Sequence, residues 1–452
     1  MNSAETQGMI ISRRCVMLLR HALPLMLALL YFAHAVLVAI VFDDLVAWLV
    51  VASCTLAIVF YYAGFSLARR LFPRRTLVIP RGGLFGPGAI AACFIAVASG
   101  LVVTAPELAI MVSASGGDVN EIAGARESFT KTREGFEQVL AYTHAMMLKG
   151  VLPLALIALF VLGHRLRWLF LTIAIALLLA SLEKFLTALV LIPIGIYFGL
   201  IGDYKRLLSF LVFAFAMFMV AASLSRVGSD LDGLAEMPGS PVGKQAAGAS
   251  PMQPGFVVPD RVLEKLATRH EPVRVAALSD VPFYQAALVG VSTDLVLVNR
   301  AVWIPFVTVY DTFRYWLEMQ DGRHLLGITS RPVALVHGVE VLNLEREVFR
   351  FQFGGNEDTT GNSNAAFFAD AYVNFGVFGI IGFALLVGGI LGWISTLEHP
   401  ACSAAGAVLA FGFAGSAVLP MLWSGGVWLF VLVVLAWSRR ARRSTGRLGS
   451  RV

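Results

Sequence analysis

Charge is what this sequence lacks. Only 14% of its 452 residues are Asp, Glu, Lys or Arg, and 58% are hydrophobic, whereas a soluble globular chain carries roughly a quarter of its residues as charges. Too few polar groups remain to coat a water-facing surface. The shortage is also local, because apolar runs near or above ~20 residues recur, the length that crosses a ~30 Å hydrocarbon core. In lipid each run must be helical, since only a helix satisfies its own backbone hydrogen bonds there. The expected fold is all-α, a polytopic membrane bundle of about 10–12 helices with long outer-face loops.

Other absences narrow the function. No GxxxxGK[ST] stretch is present, which excludes an ATP-driven motor of that type. There is no HExxH and no paired Cys–His spacing, and the eight histidines are scattered, so no metal site is expected. The four cysteines, Cys15, Cys54, Cys93 and Cys402, lie in or beside apolar segments without a CxxC pair. They read as small packing residues, not as a disulfide framework. No internal repeat is visible, which lowers the case for an inverted-repeat transporter. Lysine is scarce, 6 against 29 arginines, and genome base composition is a simpler reason for that than phosphate chemistry.

The net charge of +6 does not point to nucleic acid. Basic residues gather at the ends of apolar segments, at Arg69, Arg70, Arg74 and Arg75 and again at Arg439, Arg440, Arg442 and Arg443. That is the positive-inside pattern of cytoplasmic loops, and the surroundings it implies are membrane lipids. Arg13, Arg14 and Arg20 precede an apolar run too long for a cleaved signal peptide, so it reads as a retained first helix.

Helices are expected over about His21–Phe42, Leu45–Ala68, Leu84–Thr104 and Val139–Gly163. Two short helices should fill Trp168–Ile201, with Glu183 and Lys184 at their turn, followed by Leu207–Leu224. A polar Pro/Gly-rich loop occupies 226–280. The apolar stretch Val281–Tyr315 carries Asp294, Asn299, Arg300, Asp311 and Arg314, and the residues leave an interfacial helix and a crossing pair both open. Phe367–Trp393, Ser403–Leu419 and Gly426–Trp437 complete the bundle. The organisation is thus 1–225, helices with an outer loop at 106–138; 226–280, an outer loop; 281–366, an amphipathic outer-face segment; and 367–452, helices and a basic tail. Both termini fall inside, and the long polar loops outside. The glycines of Arg81-Gly82-Gly83-Leu84-Phe85-Gly86 sit between two helices and read as a membrane-entry loop.

The most informative segment is Gly361-Asn362-Ser363-Asn364-Ala365-Ala366-Phe367-Phe368-Ala369-Asp370-Ala371-Tyr372-Val373-Asn374-Phe375-Gly376. Asp370 and Asn374 are four apart, hence on one helix face, at the mouth of an otherwise apolar helix. Intramembrane carboxylates are costly and commonly face a site or pathway; the plainer reading is a cap or a hydrogen bond to a neighbouring helix. Gly388 and Gly392 read as close-packing positions.

This segment resembles the Asn-x-Asn-Ala-x-Phe-x-Ala-Asp-x-Tyr-x-Asn-Phe-Gly signature of Wzy-type bacterial oligosaccharide repeat-unit polymerases. The similarity extends upstream through Asn299-Arg300 to Tyr310, and on to Leu325-Leu326-Gly327-Ile328-Thr329-Ser330. The short hairpin with Lys184 and the outer segment Gly124-Ala125-Arg126-Glu127-Ser128-Phe129 fit the same pattern. The specific match covers the C-terminal third; the N-terminal part matches in topology, and the loop 226–280 lies outside the pattern.

The resemblance implies glycosyl transfer at the outer face of the bacterial inner membrane. The donor would be a glycan on undecaprenyl diphosphate and the acceptor a second lipid-linked repeat unit, with a flippase and a chain-length regulator of the same pathway as partners. Such chemistry needs cations for the diphosphate, a base for the acceptor hydroxyl and a lipid-accessible cleft. Arginine suits the first need through its permanent charge and bidentate fork. The candidates are Arg126, Arg133, Arg300, Arg323 and Arg331, with Lys184 and Asn364; for each arginine a solvated or headgroup-anchoring role weighs about equally. The bases are Asp370, His337 and His324, with Asn374 beside the first. Glu183 and Lys184 pair with each other in the plainer reading. Asp230-Leu231-Asp232 resembles a metal-binding acidic pair but is a common loop spacing. A diphosphate held by arginines requires no metal, so no cofactor is expected. A ligase that moves finished glycan to another acceptor would need nearly the same parts. A flippase or transporter would also be basic and polytopic, but should carry its ionisable groups near the bilayer midplane.

Overall fold

In a computed structural model of the chain, residues 3–75, 77–115, 119–130, 133–181, 184–224, 303–353, 362–363 and 365–448 are described here. Every described secondary-structure element is helical. Helix α1 runs Ser3–Leu27, passes through a π turn at Ala28–Phe32 and continues over Ala33–Phe42. There follow α2 (Leu45–Leu71), α3 (Pro87–Thr104), and the short α4 (Ala109–Ala114) and α5 (Val119–Thr130). Helix α6 runs Gly135–Met146, with a π turn at Met147–Val151 and a continuation over Leu152–Val161. Next come α7 (Arg167–Leu179), α8 (Lys184–Ile201), α9 (Tyr204–Leu224), α10 (Ile304–Glu318), α11 (Arg331–His337) and α12 (Leu344–Phe353). The chain ends with α13 (Phe367–Ser395), α14 (Pro400–Ala414), α15 (Val418–Leu422) and α16 (Val427–Leu448).

Six helices are long and apolar enough to cross a membrane, Met9–Phe42, Leu45–Leu71, Pro87–Thr104, Gly135–Val161, Phe367–Ser395 and Val418–Ser438, and three apolar helices are shorter. The chain is a multi-pass helical membrane protein. Many large apolar side chains face outward, Ile40, Val103, Phe215 and Phe378 among them, as on a surface that meets lipid. Helix α6 is the central one. Its π turn has a local cause, because Pro153 donates no N–H and its ring crowds the carbonyl of Lys149.

Helices α2 and α13 form the most extensive pairing. A Cβ at Gly388 would lie 2.2 Å from the Tyr61 carbonyl oxygen and one at Gly392 2.5 Å from that of Phe65. The Gly388-x-x-x-Gly392 stripe therefore brings two backbones together, as small residues do between membrane helices. Cys15, Cys54 and Cys402 are buried packing residues as expected; Cys93 instead points outward. Helix α1 starts well before His21, because Cys15, Leu19, Leu23 and Leu27 form one fully buried stripe at helical spacing. The expected helix Ser403–Leu419 is shorter, ending at Ala414 before the separate turn of α15.

The bundle has an arginine end and an aspartate end. At the first, Glu398 accepts from Ser12 (2.6 Å) and pairs with Arg74 (3.1 Å), with Arg69 at 3.9 Å. The Trp437 indole donates to the Phe85 carbonyl there (2.7 Å). Loops that charge alone assigned to one side thus meet at one end. At the opposite end Asp44 caps α2, accepting from Ala47 N (2.8 Å), and takes the Tyr310 hydroxyl of α10 on its other oxygen (2.7 Å).

Candidate active site

The site starts from a broken helix. Within α13, Gly376 has φ 64° and ψ −151°, a region essentially closed to residues with a Cβ. The chain turns so sharply there that a Cβ on Gly379 would stand 2.2 Å from the Ala371 carbonyl oxygen. In an unbroken helix, residues eight apart are separated by about 12 Å. Phe367–Phe375 is therefore a short helix of its own, and Asp370 and Asn374 belong to it.

A break leaves carbonyls without intrahelical donors, which is costly away from water. The Leu325–Ser330 segment supplies the donors. Three successive amides dock on the end of the short helix: Leu325 N to Val373 O (3.0 Å), Leu326 N to Asn374 O (2.9 Å) and Gly327 N to Asn374 Oδ1 (3.0 Å). To present them, Leu326 and Gly327 adopt φ 50° and 87°, and a Cβ at Gly327 would meet the Phe375 ring at 2.8 Å.

Asn374 completes the junction. Its Nδ2 donates to the Asp370 carbonyl (2.9 Å) and to Asp370 Oδ1 (3.0 Å), while its Oδ1 also accepts from Thr329 Oγ1 (3.2 Å). All four hydrogen-bonding positions of the amide are used. Asn374 is thus a positioning residue that ties Asp370 to the loop, with no capacity left for a substrate. Asp370 itself is 5% exposed, and the charge of Glu345 on α12 reaches it.

A second polar chain lies alongside. Asp311 of α10 accepts from Gln352 of α12, whose side-chain oxygen accepts in turn from Ser363. The Ser363 amide donates to the Glu345 carbonyl (2.9 Å). Asp311 is fully buried, and burial pushes its carboxyl up to about 7, against the opposing effects of Gln352 and the Arg314 charge. Arg314 pairs with Glu318 (2.8 Å). Aromatic rings roof the cluster: Trp316 stacks on His324 (5.4 Å between centroids), and Tyr372 meets both edge-on at 5.0 and 5.7 Å.

The sequence candidates divide as follows. Asp370 and Asn374 are brought together, and His324, Arg323 and Arg331 lie exposed on or beside the docking loop. His337 ends α11, exposed, ahead of the left-handed cap Gly338. Arg133 is buried elsewhere. Its guanidinium donates to the carbonyls of Thr104 (2.7 Å), Leu101 (3.4 Å) and Phe129 (3.3 Å) and pairs with Glu137 (2.7 Å), so it caps α3. Arg126 is half-buried on α5. Lys184 opens α8. Arg300, Asn364, Glu183, Asp230, Asp232 and the loop 226–280 lie outside the described residues. Of the Val281–Tyr315 stretch, the described part is the single helix α10, whose charged residues face protein and not lipid. The sequence shows Asp311 and Arg314 only as charges in an apolar run and Ser363 and Gly376 only as members of the 361–376 segment, without a role, and gives no sign of Gln352.

Among known proteins, no family model matches this chain, and neither a curated protein nor a solved structure matches it.

Proposed function

We propose that the chain is a membrane glycosyltransferase that polymerises polyprenyl-diphosphate-linked oligosaccharide repeat units at the outer face of the bacterial inner membrane, with both termini in the cytoplasm. The observation that carries this reading is Asp370, a carboxylate fixed at one end of the bundle by Asn374, beside a loop flanked by exposed Arg323, His324 and Arg331. Its segment is also the one that resembles the Wzy-type signature. In the reaction the acceptor hydroxyl oxygen attacks the anomeric carbon of the donor. Its proton passes to Asp370, and the bond from that carbon to the diphosphate oxygen breaks, releasing polyprenyl diphosphate. Arg323 and Arg331 neutralise charge gathering on the leaving group, where an arginine fork is well suited; Arg126, Arg300, Lys184 and Asn364 stay candidates for the same substrate, and His337 for the base. Arg133, already committed to three backbone carbonyls, Thr104 Oγ1 and Glu137, does not.

A second reading comes from the broken helix, since discontinuous helices with ionisable residues also build transporter sites. Depth favours surface chemistry. Val373 belongs to an apolar cluster against which Leu49 packs, a residue only about 6 Å along α2 from its start at Leu45. The deciding experiment uses purified protein in proteoliposomes with a lipid-linked repeat unit. Products of two or more repeat units on the carrier are expected. Transfer only to a different acceptor, or transbilayer movement with no new glycosidic bond, would overturn the reading in favour of a ligase or a flippase.

A further inference from the structure

One seam at the arginine end carries more positive charge than the protein around it neutralises. Glu398, in the turn between α13 and α14, accepts from Ser12 of α1 (2.6 Å) and pairs with Arg74 at 3.1 Å, while Arg69 of α2 stands off at 3.9 Å. The charges of Arg20 on α1 and of Arg74 also reach Arg69. Among the described residues, three guanidinium groups thus stand against one carboxylate, a surplus of two positive charges. Arg20 is exposed, and its guanidinium lies over the Tyr62 ring of α2, 5.9 Å from the centroid. His21, the next residue, shares a hydrogen bond with the Tyr62 hydroxyl (3.0 Å). The two helices are pinned together there, with the surplus charge beside the pin.

Depth identifies the missing anion. Arg20 lies about 33 Å along its helix from the far end at Phe42, and Arg69 about 36 Å along α2 from its start at Leu45. Both spans just exceed the ~30 Å hydrocarbon core. With the far ends of these helices at one interface, the two arginines stand among the lipid headgroups of the other. One turn further into the core, next to His21 and Tyr62, Leu25 and Val59 are each more than half exposed. The seam therefore passes from cationic to apolar in the direction in which a lipid passes from headgroup to acyl chain. A free phosphate matches only the first half of that surface. A zwitterionic lipid brings its own cation and leaves the surplus charge in place.

We propose that the seam between α1 and α2 binds an anionic phospholipid of the adjoining leaflet, its phosphate held between Arg20 and Arg69 and its acyl chains laid along Leu25 and Val59. Basic pockets between membrane helices take anionic headgroups, and arginine makes paired contacts with a phosphate. Tyr62 supplies an amphipathic ring at the boundary between the two halves of the lipid. Because the lipid binds the folded bundle, it stabilises it. Glu398 follows the C-terminal end of α13 and Asp370 lies in its first turn, so this site is remote from the candidate active site and independent of its chemistry.

The test is lipid binding by the purified full-length chain in detergent, read by native mass spectrometry with phosphatidylglycerol and, separately, with zwitterionic phosphatidylethanolamine. Arg20→Gln changes an exposed side chain and is expected to weaken phosphatidylglycerol binding about fivefold, and Arg20→Gln with Arg69→Gln about thirtyfold. Arg20→Lys keeps the charge and should retain most of the binding. Arg165→Gln removes the same charge from the exposed α6–α7 turn and should bind as wild type does. Phosphatidylethanolamine binding should be the same in every variant. If the double variant does not fold, Arg20→Gln decides alone. Wild-type binding by Arg20→Gln would overturn the proposal, as would an equal loss in Arg165→Gln. A parallel loss of phosphatidylethanolamine would make the seam a general acyl-chain surface, and displacement of the lipid by millimolar inorganic phosphate would make it a free-phosphate site; either overturns the proposal as well.

Discussion

Gly376→Ala tests whether the break in α13 builds the site. At φ 64° and ψ −151°, a side chain costs about 1–3 kcal/mol in backbone strain. The new Cβ would also stand 2.8 Å from His324 Nε2, driving the ring off Trp316 and forfeiting a stacked pair worth about 0.5–1.5 kcal/mol. Together these approach about 2–4 kcal/mol, enough to favour a straightened helix. In that helix the amides of Val377 and Phe378 reclaim the carbonyls of Val373 and Asn374, and the Leu325–Gly327 amides are expelled. Asn374 then loses its partners on the loop, and Asp370 its fixed position. The matched control is Gly382→Ala in the same helix, where an added Cβ meets nothing within 4 Å and helix propensity rises by up to about 1 kcal/mol. Thermal stability in detergent and polymer yield should both fall for Gly376→Ala and hold for Gly382→Ala. Equal stability and activity of the two variants would refute the reasoning.

Arg133→Ala leaves the end carbonyls of α3 without donors and should lower folded protein, at a cost of about 1–3 kcal/mol, whereas Arg331→Ala should lower polymer yield at normal abundance; immunoblot beside polymer yield separates the two. Asp311 carries a raised carboxyl pKa, so its neutral form is the one the fold favours. Its stabilising contribution is complete below the ordinary 3.8 and lost as pH rises through about 7. Asp311→Asn, which can still accept from Gln352, should therefore melt higher than wild type at pH 8 and similarly at pH 4; a melting difference independent of pH would contradict this. Reporter fusions after Lys244 and at Val452 should report opposite compartments, and a shared compartment would overturn the orientation.

The crossing helices were legible because lipid imposes one length and one composition. The Asp370–Asn374 pair was legible as well, since a spacing of four puts two residues on one helix face whatever surrounds them. What completes the site was not legible. Gly376 looks like any glycine of a membrane helix, and its conformation is held by amides some fifty positions upstream. Asp311, Gln352 and Ser363 meet only in three dimensions, across separations that carry no periodic signal. Arg133 and Arg331 are equivalent as sequence, both loop cations beside apolar segments; only the carbonyls around Arg133 separate the structural cation from the exposed one.

The most direct test of the central claim is Asp370→Asn. The amide keeps the size of the carboxylate and can still accept from Asn374 Nδ2 (3.0 Å in the wild-type pair), but it cannot take a proton from an acceptor hydroxyl. With lipid-linked repeat units supplied, the variant is predicted to be abundant and folded and to leave single units on the carrier. Long chains from Asp370→Asn would make the residue a structural staple, contradict its catalytic role and move the base to His337.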